Sequence, residues 1–420
     1  MVKKILLCTL LIAAVIGMAW AGGQADGSKE AEKVELSVLW FDDANESEVF
    51  LQTMADYRET HPNVSFDVQV IPFQDYEKKL KLMIAGGTPP DIARVTNNHI
   101  AMLYESMEPL NGNIENLDRF VSNFFESSLA LATNPAGQLV ALPTEATANG
   151  MLVNKTAFES VGIDIDELSR TWTWDEWVDA MKKVVAENAK IKYGIGYDFS
   201  PHRWSTLLFE AGGRFLNDEL DGMNFNTPET LDTLNFFKML HDEGLAPKSV
   251  WMGSEKPQEM FMSGLVACHI GGSWWINAYA QDITGFEWTA VRMPKRKIRS
   301  SVPGGKFIAT FKGAANQEVA FDVIKTFSDK EHNEQYCLNT FNLSSRKDAE
   351  IEYPRRSSDF AVFADDLSVT PAYTANDWKS PELNKIYSYI REQIVEGLLG
   401  NQTVEETARN IHERGNSFFN

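Results

Sequence analysis

Along the first hundred residues the apolar positions switch between two periods. From Val34 to Trp40, Val34, Leu36, Val38 and Trp40 alternate with Glu35, Ser37 and Leu39, the period of two that a strand requires. Val49, Phe50, Thr53, Met54 and Tyr57 then share one helical face until His61-Pro62-Asn63 stops it. Val64, Phe66, Val68 and Val70 alternate again. Tyr76, Leu80, Met83 and Ile84 mark a second helix, closed by Gly86-Gly87-Thr88-Pro89-Pro90, and Asp91 to Val95 reads as a short third strand. Strand, helix, strand, helix, strand without hairpin turns predicts a parallel sheet with crossover helices.

From about Asn154 to Trp288 the pattern is more helical and rich in aromatic residues. In Thr173-Trp174-Asp175-Glu176 the threonine can cap a helix and the glutamate three residues on can answer it, with Trp177, Met181, Val184 and Val185 following at helical spacing. Thr227-Pro228-Glu229-Thr230 opens another helix, carrying Leu231, Leu234, Phe237 and Leu240. The texture returns to β near Pro303-Gly304-Gly305-Lys306-Phe307-Ile308-Ala309, and helices are predicted over 317–327 and within 381–419. With 420 residues, 44% apolar and 23% charged, the chain can bury a large core, which excludes a disordered protein and predicts two globular lobes.

Residues 1–21 read as an address. Lys3 and Lys4 precede the apolar run Ile5 to Ala21, 17 residues against roughly 20 for a span, which ends in Ala19-Trp20-Ala21. This predicts a cleavable signal peptide and export to the periplasm. The residue after the cut is Gly22, not the cysteine of a lipoprotein, and 22–33 reads as a flexible leader. Without Lys3 and Lys4 the mature chain holds 37 basic and 59 acidic residues, a formal charge of −22, which argues against nucleic acid or anionic lipid as partner. Cys268 and Cys337 remain, open to a disulfide or to two buried free thiols, the second favoured by their apolar and helical settings. Arg292 to Arg299 gathers five basic residues, either a solvated loop or a dock for an acidic partner.

Several segments, in order, carry a resemblance. They are His61-Pro62-Asn63-Val64; Ala85-Gly86-Gly87-Thr88-Pro89-Pro90-Asp91-Ile92; Gly137-Gln138-Leu139-Val140-Ala141-Leu142-Pro143; Asn154-Lys155; Thr173-Trp174-Asp175-Glu176; Met260-Phe261-Met262-Ser263-Gly264; Gly272-Ser273-Trp274; Pro303-Gly304-Gly305; and Thr403-Val404-Glu405-Glu406. Together they resemble the extracellular solute-binding proteins of bacterial ABC importers, of the carbohydrate-binding type related to maltose-binding protein. Ser344-Ser345-Arg346 departs from the family's more common Pro-x-Arg.

The resemblance implies an α/β, two-lobe periplasmic binding protein fold (type II-like), each lobe a mainly parallel sheet flanked by helices. Lobe one would combine 34–144 with 304–333, and lobe two 145–303 with 334–420. It also implies a sugar or small oligosaccharide bound in the interlobe cleft, delivery to membrane permease subunits, action as a monomer, and no cofactor or metal.

Ligands of open parallel sheets sit beyond the carboxyl ends of the strands, which singles out Trp40, Asp42 and Asp43 after the first strand and Asn97 after the third. Sugar recognition needs flat apolar faces for pyranose C–H groups and polar groups for the hydroxyls. Trp40 also continues the inward alternation, so core and cleft are both open readings. The resemblance points to Glu145 as a polar contact, Trp274 as the stacking residue and Gly305 as a point of close backbone approach. Trp204, Trp251 and Trp378 stand in loop-like contexts, and Arg346 can fork onto vicinal hydroxyls or a carboxylate. The alternatives are a secreted glycosidase built on Asp42, Asp43 and Glu145 and a binding protein for a non-sugar polar solute, and Arg94, Arg203, Lys306 and Arg346 leave room for an acidic sugar. No Walker, Gly-x-Ser-x-Gly, HExxH or CxxC pattern occurs.

Overall fold

The computed structural model describes residues 32–42 and 44–419. The expected signal peptide, nearly all of the leader, and Asp43 lie outside the described residues. Among the described residues there are eight strands: β1 (Val34–Trp40), β2 (Val64–Val70), β3 (Ile92–Thr96), β4 (Leu142–Asn154), β5 (Tyr193–Tyr197), β6 (Val266–Gly272), β7 (Trp288–Val291) and β8 (Pro303–Ala309). Their order is β2-β1-β3-β8-β4-β6-β5, with β7 beside β4.

The alternation read from β1 separates two cores. Leu36, Val38 and Trp40 enter one, with Ile92 and Ile308, while Leu39 and Phe41 enter the other, with Ala93, Val95, Phe307 and Ala309. Each fully buried side chain of this size contributes about 1.5–3 kcal/mol, so slippage by one residue would exchange the faces at large cost. A third core, built on β4, β5, β6 and β7 and the helices around them, fills the second lobe.

β1–β2, β1–β3 and β5–β6 run parallel, as expected. The expectation of mainly parallel sheets is corrected at the crossing, where β3–β8, β4–β8, β4–β6 and β4–β7 are antiparallel. The cause is connectivity. β4, 13 residues long and buried throughout, leaves the first lobe beside β8 and enters the second beside β6, while β8 returns the other way. At about 3.3 Å per residue it spans roughly 40 Å and joins the lobes without a loop.

The boundary expected at 333 also moves. Tyr336 and Cys337, on the helix Lys330–Thr340, pack in the first lobe with Trp40 and Phe327. The helix Tyr373–Lys379 bridges the lobes, with Ala375 in a first-lobe core and Trp378 in the second. Cys268 and Cys337 are free and lie in different cores.

The helix Trp174–Glu187 starts at the predicted capping box, Thr173 and Glu176 exchanging both hydrogen bonds. The basic segment is a stitch within the second lobe. Arg292 and Arg299 pair with Asp365, Arg296 with Asp232 and Lys297 with Glu229. Four of its five charges are paired with neighbouring helices of the same chain, and Lys295 is exposed.

Candidate functional site

The β4–β8 crossing has two faces. Thr147 lies opposite Gly304 and Ala146 opposite Gly305, so Thr147, Gly304 and Lys306 share one face while Ala146, Pro303 and Gly305 share the other. A Cβ on Gly304 would approach Thr147 Oγ1 at 2.6 Å, Asn97 Oδ1 at 3.7 Å and His202 Cε1 at 4.0 Å. Asn97 begins the first-lobe helix Asn97–Leu103 and His202 lies in the first turn of the second-lobe helix Pro201–Glu210. The two lobes therefore meet over Gly304, where only glycine leaves them room.

Trp274, partly exposed, looks onto the same face. The Arg203 guanidinium stands 4.7 Å and Lys306 Nζ 5.7 Å from its ring centroid. A Cβ on Gly272 would fall 1.8–2.3 Å from three of its ring carbons, so the indole lies in space that any other residue would fill.

Beneath this floor Glu145 is fully buried. One oxygen lies 3.0 Å from Lys306 Nζ, and the other accepts from Arg94 Nη2 and Asn342 Nδ2 at 3.1 Å each. Arg94, also fully buried, donates to the Phe41 carbonyl at 2.7 Å and lies over the Phe41 ring. A buried charge needs such pairing to avoid its desolvation penalty.

His202 is different. Neither of its ring nitrogens makes a hydrogen bond of normal geometry, although the residue is only 8% exposed. Burial holds its pKa well below the ordinary value, the neighbouring Arg203 charge adds to this, and the Pro303 backbone opposes it weakly. A neutral imidazole offers one donor and one acceptor, the pair a hydroxyl group complements.

The structure thus brings Asn97, Trp274 and, as a buried support, Glu145 to one place. Asp42 is nearby in sequence to the first-lobe strand end, but its carboxylate accepts from the Ser47 N–H and hydroxyl at 2.7 and 2.6 Å, fixing a helix start. Four tryptophans and two further residues are corrected. Trp40 packs on Phe50 in the first lobe. Trp204 lies inside a helix against Phe215 and Phe225, because Pro201 opens a helix at its first turn where the sequence suggested a loop. Trp251 is buried on Phe199 and Phe237. Trp378 is buried and donates to Ser205 Oγ at 3.0 Å. Gly305 faces away from Gly304, its absent side chain accommodating the Glu145 carbonyl and the Phe307 ring. Arg346 forks onto Asp348 at 2.9 and 2.8 Å, donates to the Ser328 carbonyl and stacks on Phe124, leaving no fork for a ligand.

His202, Arg203 and Lys306 complete the floor; Ser200-Pro201, a helix start directly after a strand, was the available signal for the first two. A cavity of about 800 Å³ lies on the opposite face of the crossing and is lined largely by apolar residues such as Phe125, Ala146, Leu343 and Phe360. The convergent polar groups, which fix a hydroxylated ligand, are on the Gly304 face instead.

The model of the bacterial extracellular solute-binding protein family matches residues 43–334, and the chain belongs to that family. Among solved structures, an ABC substrate-binding protein from Listeria monocytogenes in complex with cycloalternan superposes with a TM-score of 0.79 at 21% identity, covering 92% of this chain and 99% of that one. A solute-binding protein from Thermotoga lettingae bound with α-D-tagatose gives 0.76 at 22% identity, covering 92% and 100%. A lactose-binding protein of Rhizobium radiobacter is 21% identical over 308 residues, 70% of each chain. These likenesses establish the two-lobe binding-protein fold.

Proposed function

We propose that the chain is the ligand-capturing subunit of an ABC importer and that it holds a neutral sugar or small oligosaccharide between its lobes. The observation that carries this reading is the meeting of Asn97 from the first lobe with His202 and Trp274 from the second over the glycine floor of β8: an aromatic ring and polar side chains, with the His202 ring nitrogens unfilled. A ligand touching both lobes stabilises the closed arrangement, and closure is what membrane permease subunits would recognise. The sugars bound by similar proteins support the ligand class. We read the protein as exported and monomeric.

Neutrality follows from pairing. Glu145 lies between Arg94 and Lys306, and Asp198 lies 3.6 Å from Arg203, so a ligand carboxylate would have to compete with carboxylates already in place. The same pairing argues for binding over hydrolysis: Glu145 is held by cations and Asp42 by Ser47, which leaves neither free to exchange protons with a glycosidic oxygen.

The test is a melting-temperature screen of the mature chain against lactose, D-tagatose, cycloalternan and D-glucuronate. A sugar at a hundred times its Kd should raise stability by about 2.7 kcal/mol. The reading expects a shift with a neutral sugar that is recovered unchanged. Consumption of the sugar would establish the glycosidase, and a shift with D-glucuronate alone would overturn neutrality.

A further inference from the structure

The Trp274 ring is held from two sides, and one of them leads into the protein. Behind it, the backbone of Gly272 leaves the indole its space. Over its face stands the Arg203 guanidinium, 4.7 Å from the centroid. Arg203 is ion-paired without a hydrogen bond of normal geometry: its Nε lies 3.6 Å from Asp198 Oδ2, one residue past β5. The other oxygen of Asp198 accepts from His269 Nε2 at 2.9 Å, and His269 Nδ1 meets the Tyr279 hydroxyl at 2.7 Å.

His269 is fully buried on β6, and Tyr279 is fully buried on the helix Trp275–Asp282, which begins at the residue after Trp274. The chain of contacts starts and ends on one short segment. It leaves through Tyr279, passes through β6, β5 and the helix Pro201–Glu210, and returns to Trp274.

We propose that Asp198, oriented by His269 and Tyr279, is a positioning residue that fixes Arg203 against Trp274 and so sets the height and tilt of the aromatic face offered to the sugar. The inference rests on the sugar-binding reading and adds the part of the site that does not touch the ligand. Its physical basis is that a cation over an indole is attracted to the ring's negative face, and that the attraction orders the ring only if the cation is itself tethered. Arginine suits the place because its planar group lies flat on a ring while pairing in its own plane. The imidazole partner of the carboxylate is held at both nitrogens, which orients the Asp198 end of the tether toward Arg203.

The experiment is a double-mutant cycle in the full mature chain, with Kd for lactose, D-tagatose and cycloalternan measured by calorimetry. Asp198→Asn and Arg203→Gln should each weaken binding of the accepted sugar by about tenfold, and the double variant by no more than either alone, because both remove one tether. Tyr279→Phe should weaken it by a smaller factor, with Arg203→Lys close to Arg203→Gln. Factors that multiply in the double variant, or a wild-type Kd retained by Asp198→Asn, would overturn the positioning role while leaving the sugar reading intact. If Asp198→Asn does not fold, the same comparison is made between Tyr279→Phe and Arg203→Lys. A wild-type chain that binds none of the three sugars would overturn the reading and the inference together.

Discussion

Glu145→Ala is the sharpest perturbation of the crossing. The carboxylate is fully buried and lies within 3.1 Å of three groups: Arg94 Nη2, Lys306 Nζ and Asn342 Nδ2. Removing one member of a buried ion pair typically costs about 3–5 kcal/mol, since the charge left behind keeps its desolvation penalty. Arg94 retains the Phe41 carbonyl at 2.7 Å, which places the expected loss near the low end, about 3 kcal/mol. For lobes of this size that lowers the melting temperature by roughly 6–12 °C. Circular dichroism melts of the mature chain measure it. Replacing Glu145 with leucine and Arg94 with methionine together should recover part of the loss, because the stranded charge goes with its partner. A change below about 1 kcal/mol in Glu145→Ala would refute the reasoning and mean that water screens the cluster as it screens a surface pair.

Other outcomes follow from separate features. Gly272→Ala should weaken sugar binding sharply with little change in melting temperature, since a Cβ 1.8–2.3 Å from the Trp274 ring evicts the indole; unchanged affinity by calorimetry would remove Trp274 from the site. His332, hydrogen-bonded to Asp329 and Asp56, has its pKa raised to about 9. Raised above the ordinary 6.5, it contributes stability that is complete below pH 6.5 and lost as pH rises through about 9, so His332→Gln should flatten that part of the melting profile. Burial pushes Asp366 up to about 7, against the Arg299 charge and the Met293 N–H. Its contribution falls as pH climbs from about 4 to 7, and Asp366→Asn should remove this slope while keeping the acceptor for Met293; an unaltered slope would contradict the assignment.

The lobe sheets were legible because each apolar residue in β1 and β2 has one face to choose. Period two in Val34–Trp40 and the capping box at Thr173 and Glu176 are local signals, and both elements form where they were read. The crossing was not legible, because a strand shared by two sheets looks in sequence like any buried strand. The tryptophans failed for a related reason. Trp204 follows Pro201, which reads as a turn but sits at the first position of a helix, and the aromatic partners Phe215, Phe225 and Phe237 come from distant segments. Arg346 was misread despite a local clue, the aspartate two residues on that takes its fork. For His202 the helix start at Ser200-Pro201 gives its place in the chain, but what marks it, ring nitrogens without a hydrogen bond of normal geometry in a buried place, shows only in the fold.

The proposed place for the sugar is between the lobes, on the Gly304 face. A crystal structure of the mature chain with the neutral sugar that shifts its melting temperature tests this directly. The expected result is a ring stacked on Trp274, with hydroxyls bonded to His202 and Asn97. A sugar lodged instead in the cavity lined by Phe125 and Phe360, or touching one lobe only, would contradict it.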